Sequence, residues 1–347
     1  MNRFSKTLLT VATATTLGFG AAGTAQADAL ATSILQLDPL SFNNNLSPGV
    51  AGAILINGVN ITVLGFNQNA SASATLNGTT NAVTVPSGIG TDIQPQCVGG
   101  GALNAPCPGS PAPDGRLTNN VFGVFSTAFG DPKAPSVSSA DQNEAGSPVA
   151  NVLGLGVPPT PAKVEASAIT SLKGGGSGAA NTQNGVVAQF QFRMTTTGKI
   201  DILFDAKAYL EAFTTVGRPN EFAQASYSTS FTLTGPDITT FNWQPNGQPG
   251  GITGGTEILD PFSLNDTIAS SGPAGGTHLP PGETLGTKRT GSFQAETPTL
   301  TANTIYTLDA RMTALSNATS VPEPATLGLL GIALLGLGVT LRRRTTS

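Results

Sequence analysis

The chain has 347 residues, of which 10% are charged, and its formal net charge is −4. Globular proteins average about 25% charged residues, so too few lysines and arginines are present for electrostatic binding of nucleic acid. One histidine and two cysteines leave few groups for acid–base or metal chemistry. The 43 glycines and 25 prolines favour turns over long helices. Composition therefore predicts a neutral, helix-poor protein that is not an enzyme and needs no cofactor.

Residues 1–27 have the three parts of a secretory signal peptide. Arg3 and Lys6 supply the positive charge, an apolar run continues to Phe19, and the sequence Ala25-Gln26-Ala27 offers a small-x-small cleavage site. We therefore predict cleavage after Ala27 and export of the remaining chain.

The middle of the chain, 28–318, predicts a β-rich secreted domain. Asn57-Gly58, between apolar β-forming residues, is a strong hairpin signal. Apolar and polar residues alternate with a period of two, which is typical of half-buried strands, in 190–194, 200–208, 225–233 and 306–314. This pattern predicts an all-β protein, an antiparallel β-sandwich or jelly roll.

Between residues 94 and 180 the alternation weakens, and the predicted domain becomes rich in loops. Several prolines interrupt this region, and a glycine run at 174–178 has the composition of a flexible connection. Two interpretations stay open: long loops on one sandwich, or a linker between two β modules. The few strands expected before Pro95 favour one domain.

The C-terminal segment, 319–347, combines three features. The apolar run 325–341 is close to the shortest length that spans a bilayer as a helix. By the positive-inside rule, arginines beyond it stay on the cytoplasmic side, while prolines before it keep the chain extended outside the membrane. These flanking residues are Val321, Pro322, Glu323 and Pro324 on one side and Arg342, Arg343 and Arg344 on the other. We predict a single transmembrane helix and a transient inner-membrane intermediate.

This arrangement resembles the PEP-CTERM sorting signal. The resemblance implies recognition by an exosortase in a Gram-negative bacterium that makes exopolysaccharide, followed by loss of the helix and release or attachment outside the cell. A plain C-terminal tail anchor is the alternative. Residues 221–236 and 291–320 are also similar to flocculation-associated PEP-CTERM proteins, which implies a secreted protein that promotes cell aggregation with exopolysaccharide or by self-association, without catalytic residues.

Cys97 and Cys107 lie close together in an exported chain, a pattern that favours a disulfide closing a short loop. The alternative, a metal site, lacks further ligands nearby.

Asn242, Trp243 and Gln244 are candidates for contact with a glycan, because an aromatic ring stacks on a sugar while amides bind its hydroxyls. The competing interpretation places Trp243 in the core. A carbohydrate-binding module is therefore one alternative function.

The titratable residues offer a second alternative, a secreted polysaccharide-modifying enzyme. Asp201 and Asp205 are predicted to share a strand face, and His278 lies in a loop by composition. A glycosidase needs two carboxylates across a cleft, whereas a solvated strand face with alternating charge explains the two aspartates more simply. Glu257, Asp260 and Asp266 are candidates for calcium ligation through their carboxylate oxygens, although their spacing matches no defined calcium-binding loop.

Overall fold

The computed structural model describes residues 28–37, 41–42, 53–56, 59–86, 93–99, 137–143, 162–171, 178–285 and 287–320. These residues form eighteen β-strands and no helix, which confirms the predicted all-β class. Within these ranges, no helix meets the length and apolarity required to cross a membrane. The predicted signal peptide and C-terminal helix lie outside the described residues.

Nine strands form the first antiparallel sheet, sheet A, in the order β14-β17-β10-β1-β8-β7-β6, with β2 and β16 also paired to β10. The bounds are β1 Asp28–Leu37, β2 Ser41–Phe42, β6 Ile93–Gly99, β7 Val137–Asn143, β8 Ala162–Ser171, β10 Asp201–Thr214, β14 Thr256–Leu259, β16 Gly276–His278 and β17 Arg289–Glu296.

The other nine strands form sheet B, in the order β13-β12-β11-β18-β9-β4-β3, with β15 paired to β11 and β5 to β4. The bounds are β3 Ala53–Ile56, β4 Val59–Leu76, β5 Thr79–Pro86, β9 Gly178–Met194, β11 Glu221–Gly235, β12 Ile238–Trp243, β13 Ile252–Thr253, β15 Asp266–Ser271 and β18 Ile305–Ser320.

Both sheets draw on the two halves of the chain. β1 lies between β8 and β10 in sheet A, and β9 lies between β4 and β18 in sheet B. Three strands, β6, β7 and β8, come from the region 94–180 that the sequence predicts to be loop-rich. Val98 of β6 and Val164, Ala166 and Ala168 of β8 belong to a core shared with the later strands, because these segments pair with strands far away in the sequence.

Hairpins follow the Asn-Gly dipeptides. Ile56 pairs with Val59, which confirms the hairpin predicted at Asn57-Gly58. A second hairpin joins β4 to β5 through Asn77 and Gly78, whose φ angles are 48° and 83°. Positive φ at both central residues is the requirement of a type I′ turn. This second turn was not predicted, although the same dipeptide marks it.

The predicted alternation is confirmed in β10, β11 and β18, where every second residue is buried over most of each strand. β1 departs from the expectation of one apolar and one polar face. All its residues from Ala29 to Leu37 are buried, including Thr32 and Ser33. Because β1 is central in sheet A and covered on both faces, it does not follow the half-buried pattern.

An aromatic cluster holds the two sheets together. Phe204 and Phe293 belong to sheet A and stack with ring centroids 5.1 Å apart. Phe231 and Trp243 come from sheet B, with centroids 5.0 and 5.6 Å from that of Phe204. Such offset and tilted ring pairs add stabilisation to the apolar area they bury. Phe204 is the ring that contacts the other three.

We predict that Phe204→Ala lowers the free energy of unfolding by about 3–5 kcal/mol, because it removes the ring shared by both sheets and leaves a cavity. Denaturant unfolding followed by tryptophan fluorescence measures this loss. Val216→Ala is the control, since Val216 is 68% exposed and its truncation should change stability by less than about 0.5 kcal/mol. Equal midpoints for Phe204→Ala and the wild type would contradict the prediction.

Candidate functional site

The C-terminal sorting segment follows a fully paired central strand. β18 ends at Ser320, which pairs with Glu221 of β11 and with Gly178 of β9. The predicted motif begins with the next residue, Val321. The folded domain is therefore joined to the motif without a linker, and the motif itself lies outside the described residues.

The two chain ends of the sandwich lie at the same pole. Ala29, near the start of β1, pairs with Thr214. The Thr214 hydroxyl lies 2.7 Å from the hydroxyl of Ser270, Ser270 pairs with Ala223, and Ala223 pairs with Ala318. This end, which we name the terminal pole, is the one from which both predicted membrane-directed segments leave the domain.

A polar cleft of about 270 Å³ opens beside β12, on the flank of the sandwich. Most of its lining consists of neutral hydrogen-bonding groups, namely Asn242, Gln244, Asn246, Gly250, Gly251, Thr253 and Asn265. A cleft lined by amides and a hydroxyl, without a formal charge among its lining residues, suits a neutral hydroxylated ligand better than an ion.

Some side-chain amides of the cleft are hydrogen-bonded within the protein, whereas others can still bond to a ligand. Asn265 is occupied, since its Nδ2 donates to the carbonyl oxygens of Thr229 and Pro245 at 3.0 and 2.9 Å, and its Oδ1 accepts from the Thr229 amide. In contrast, Oδ1 of Asn242 is buried without a hydrogen-bond partner among the described residues. Gln244 is exposed. These two side chains are the candidates for ligand contact.

Two carboxylates position the loop that forms the cleft. Glu257 accepts from Trp243 Nε1 at 2.8 Å and from the Gly250 amide at 3.1 Å. Oδ2 of Asp260 accepts from the amides of Asn246 and Gly247, both at 2.8 Å. Burial, together with the nearby Glu257, raises the pKa of Asp260 to about 6. Both carboxylates therefore act as anchors for backbone amides.

Trp243 lies in the hydrophobic core, as the competing interpretation of the sequence predicts. Its side chain is 0% exposed, and its ring packs against Phe204 and Phe231. A sugar ring has no free indole face to stack on, so Trp243 is not a stacking platform here. Side chains alternate along a strand, and the flanking Asn242 and Gln244 therefore point the other way. Their contact with a glycan stays a prediction.

The three candidates for acid–base catalysis are not brought together. Asp201 begins β10 opposite Glu296, whereas His278 pairs with Ala212 near the other end of that strand. Eleven residues of strand separate the two positions, about 36 Å. Asp205 is exposed on the outer face.

The calcium candidates also separate. Glu257 and Asp260 hold the cleft loop, whereas Asp266 lies 3.5 Å from Arg289. Among the residues that the structure describes, no group of three or more His, Cys, Asp or Glu side chains could hold a metal ion.

Arg289 forms a cluster that the sequence did not indicate. Its Nη2 donates to the Tyr227 hydroxyl at 2.6 Å, its Nε lies 2.5 Å from Glu283, and its guanidinium stands 4.9 Å over the Phe262 ring. Burial raises the pKa of Glu283 to about 7. The cluster fastens the loop before β17 to sheet B. Tyr227 and Phe262 are far from Arg289 in the sequence, so the spacing of residues could not have revealed the cluster.

Cys97 lies in β6, is 5% exposed and is bonded in a disulfide. Cys107 lies outside the described residues, and the pairing of these two cysteines therefore stays a prediction.

Comparison with known proteins identifies one feature. The family model of the PEP-CTERM protein-sorting motif matches residues 320–344, which confirms the sorting signal predicted from the sequence. The motif indicates export and sorting to the cell surface or exterior through the membrane, with recognition by an exosortase. No curated protein and no solved structure matches the chain. The resemblance to flocculation-associated proteins therefore stays a prediction.

We predict that the protein becomes more stable as the pH falls from 7.5 to 5. Asp260 and Glu283 have pKa values of about 6 and 7 in the fold, above the ordinary 3.8 and 4.5 of the unfolded chain. Between these values the folded state binds more protons, so the free energy of unfolding decreases as pH rises through the window. Thermal melting at both pH values measures the difference.

In the same experiment Asp260→Asn should reduce the pH dependence, because the amide oxygen can still accept from Asn246 and Gly247 without titrating. Asp205→Asn, at an exposed carboxyl of β10, is the matched control and should leave the dependence unchanged. A melting temperature that rises between pH 5 and 7.5 would contradict the assignment.

Proposed function

We propose that the chain is an exported, non-enzymatic matrix or surface protein, sorted by an exosortase, that promotes cell aggregation in flocs or biofilm together with exopolysaccharide. The PEP-CTERM motif at 320–344 supports the route of export. The observation that carries the role in aggregation is the chemistry of the outer face of sheet B.

That outer face is long and rich in neutral hydrogen-bonding groups, with the charged side chains of Arg193, Asp309 and Arg311 interspersed among them. Hydroxyls and amides from three adjacent strands project from it, namely Gln189, Gln191, Gln224, Ser228, Ser230, Thr313 and Asn317. Cross-strand contacts such as Ser228 to Thr313, 2.6 Å between the hydroxyl oxygens, hold part of the array in place. Many weak contacts of this kind with a polysaccharide or a second copy gain avidity through multivalency.

The geometry of the chain ends supports display of this face. Both termini of the sandwich leave from the terminal pole, and β18 extends from there over 16 residues, about 53 Å. A domain held at the membrane by its C-terminal segment would thus project its sheets outward. The separation of Asp201 from His278 supports a binding role over catalysis.

We predict that a strain lacking the gene does not settle, while its exopolysaccharide content is unchanged. Re-expression of the wild-type chain should restore settling. A variant in which Pro322, Glu323 and Pro324 are replaced by alanine should not restore it, because the exosortase no longer recognises the motif. Settling assays, with mass spectrometry of the C-terminus of the recovered protein, measure both steps.

Replacing Thr345 and Thr346 by alanine gives a control for the motif variant, since these residues lie beyond the matched segment. The strain that expresses this control variant should settle like the strain that expresses the wild-type chain. Normal settling of the deletion strain would overturn the role in aggregation, and trimmed C-termini on the alanine variant would overturn the sorting step.

A second candidate function is recognition of a neutral glycan in the cleft beside β12. It is favoured by the buried, unpartnered Oδ1 of Asn242 next to the exposed Gln244. In this alternative the protein binds one polysaccharide saturably, rather than through many equivalent contacts on the sheet face.

We predict that Asn242→Ala combined with Gln244→Ala weakens binding to the cells' own exopolysaccharide by about tenfold, the loss expected from one or two hydrogen bonds. Affinity electrophoresis in gels containing the polysaccharide measures this change. Thr239→Ala is the matched control, because Thr239 is exposed on the same strand but does not line the cleft. Equal retardation of the double variant and the control would reject the cleft as a binding site.

A further inference from the structure

β5 is an edge strand whose segment 79–85 carries none of the usual protection against pairing with another chain, since its one proline, Pro86, is the last residue. It pairs with β4 from Leu76 opposite Thr79 to Asn69 opposite Pro86, in unbroken register. None of its eight residues is charged. Among the described strands it has β4 as its one hydrogen-bonded partner. A regular, uncharged edge presents free amides and carbonyls to any strand that meets it.

The other edges of the two sheets carry the devices that prevent such pairing. β14 has four residues and a register shift between Glu257 and Leu259. β6 contains Pro95 and a register shift between Ile93 and Gln96. β3 and β13 have four and two residues. Short length, bulges and proline all blunt an edge. β5 is the longest of these edges.

The register shows which backbone groups of β5 are free. In a two-residue hairpin the residues that flank the turn, Leu76 and Thr79, exchange hydrogen bonds with each other. Every second residue after Thr79 does the same with β4. The N–H and C=O groups of the residues between them, Thr80, Ala82 and Thr84, therefore point away from β4. All three residues are exposed.

We propose that β5 pairs antiparallel with β5 of a second copy, about a two-fold axis at Ala82. Such an edge is self-complementary, because Ala82 then faces Ala82 of the other copy, and Thr80 faces Thr84 in both directions. Three hydrogen-bonded pairs of this kind exchange about six backbone hydrogen bonds. The paired side chains are small and neutral, and threonine pairs across strands are favourable. Sheet B becomes continuous through the dimer.

This pairing is incompatible with both copies standing on one membrane. Ala82 is level with Leu315 of β18, through Ser73 and Gln183. From Leu315 the strand runs five residues to Ser320 at the terminal pole but ten residues to Ile305, about 17 and 33 Å. An antiparallel partner therefore extends about 15 Å beyond the terminal pole of the first copy, into space that a membrane would occupy.

Copies released from the membrane can therefore pair through β5, whereas copies still held in the same membrane cannot. The pairing itself depends only on β5, whereas its restriction to released copies rests on the sorting step of the proposed function. Processing would thus keep self-association away from the membrane and permit it in the matrix.

The test is sedimentation velocity of the protein purified from culture supernatant, over a range of concentrations. The wild type should form a dimer. Ala82→Pro removes one outward N–H and blocks the edge, yet leaves the ladder to β4 intact, and should weaken dimerisation by about tenfold or more. Ala82→Val keeps the N–H and should dimerise like the wild type.

A second variant guards against misfolding. If Ala82→Pro melts at a lower temperature than the wild type, a double variant is used instead. It combines Thr80→Lys with Thr84→Lys, because charges on the edge oppose pairing. Gln191→Lys places a charge on the face of an interior strand of the same sheet, and should dimerise normally. A monomeric wild type, or a folded edge variant with wild-type affinity, would overturn the pairing.

The proposed function fails by a different result. Loss of settling in the deletion strain, together with a monomeric wild type, would reject the β5 dimer and keep the role in aggregation. A dimer in solution, with normal settling of the deletion strain, would reject that role and keep the dimer. Cross-linked dimers of the membrane-held alanine variant at Pro322, Glu323 and Pro324 would overturn the restriction to released copies.

Discussion

The packing of the two sheets depends on the aromatic contact between Phe204 and its neighbours, together with one polar bond of Trp243. The indole ring packs against sheet A, and its N–H donates to Glu257 of β14, an edge strand of that sheet. A buried indole N–H without a partner would cost free energy, so Glu257 fixes the depth at which β12 sits over the core. The same carboxylate accepts from Gly250. The contact that joins the sheets thereby also shapes the loop beside them.

This link explains why the cleft is polar and preformed. With Trp243 directed into the core, the period of the strand directs Asn242 and Gln244 to the opposite face. Asp260 then holds the backbone amides that follow, at Asn246 and Gly247. A close approach at Gly247, where a Cβ atom would lie 2.6 Å from the Ser263 amide nitrogen, keeps this loop compact. The core packing and these hydrogen bonds therefore hold the amides of the cleft in position without a ligand.

Local rules predicted the strand-forming segments but not their partners. Alternation in 200–208, 225–233 and 306–314 and the dipeptide Asn57-Gly58 identified strands and a hairpin, because period and turn chemistry act over a few residues. The pairing of β1 with β8 and β10, and the cluster around Arg289, depend on contacts between distant segments. The PEP-CTERM signal was predictable because all of its parts are contiguous. For the cleft, Asn242 and Gln244 were identified from residue type, whereas the inward position of Trp243 depended on the aromatic neighbours that β10 and β11 supply.

The small number of charged residues in the chain affects both the outer face of sheet B and the edge strand β5. The neutral hydroxyls and amides that predominate on the outer face of sheet B can hydrogen-bond the hydroxyls of a polysaccharide. The same scarcity of charge leaves β5 without the lysines that commonly protect an edge. Pairing of this edge would have to be limited by the location of the protein in the cell, because the strand itself carries no protective charge. Because β5 begins near the terminal pole, a membrane at that pole would block the proposed antiparallel pairing. The sorting motif follows β18 at the same pole, so processing of the motif would remove the block there.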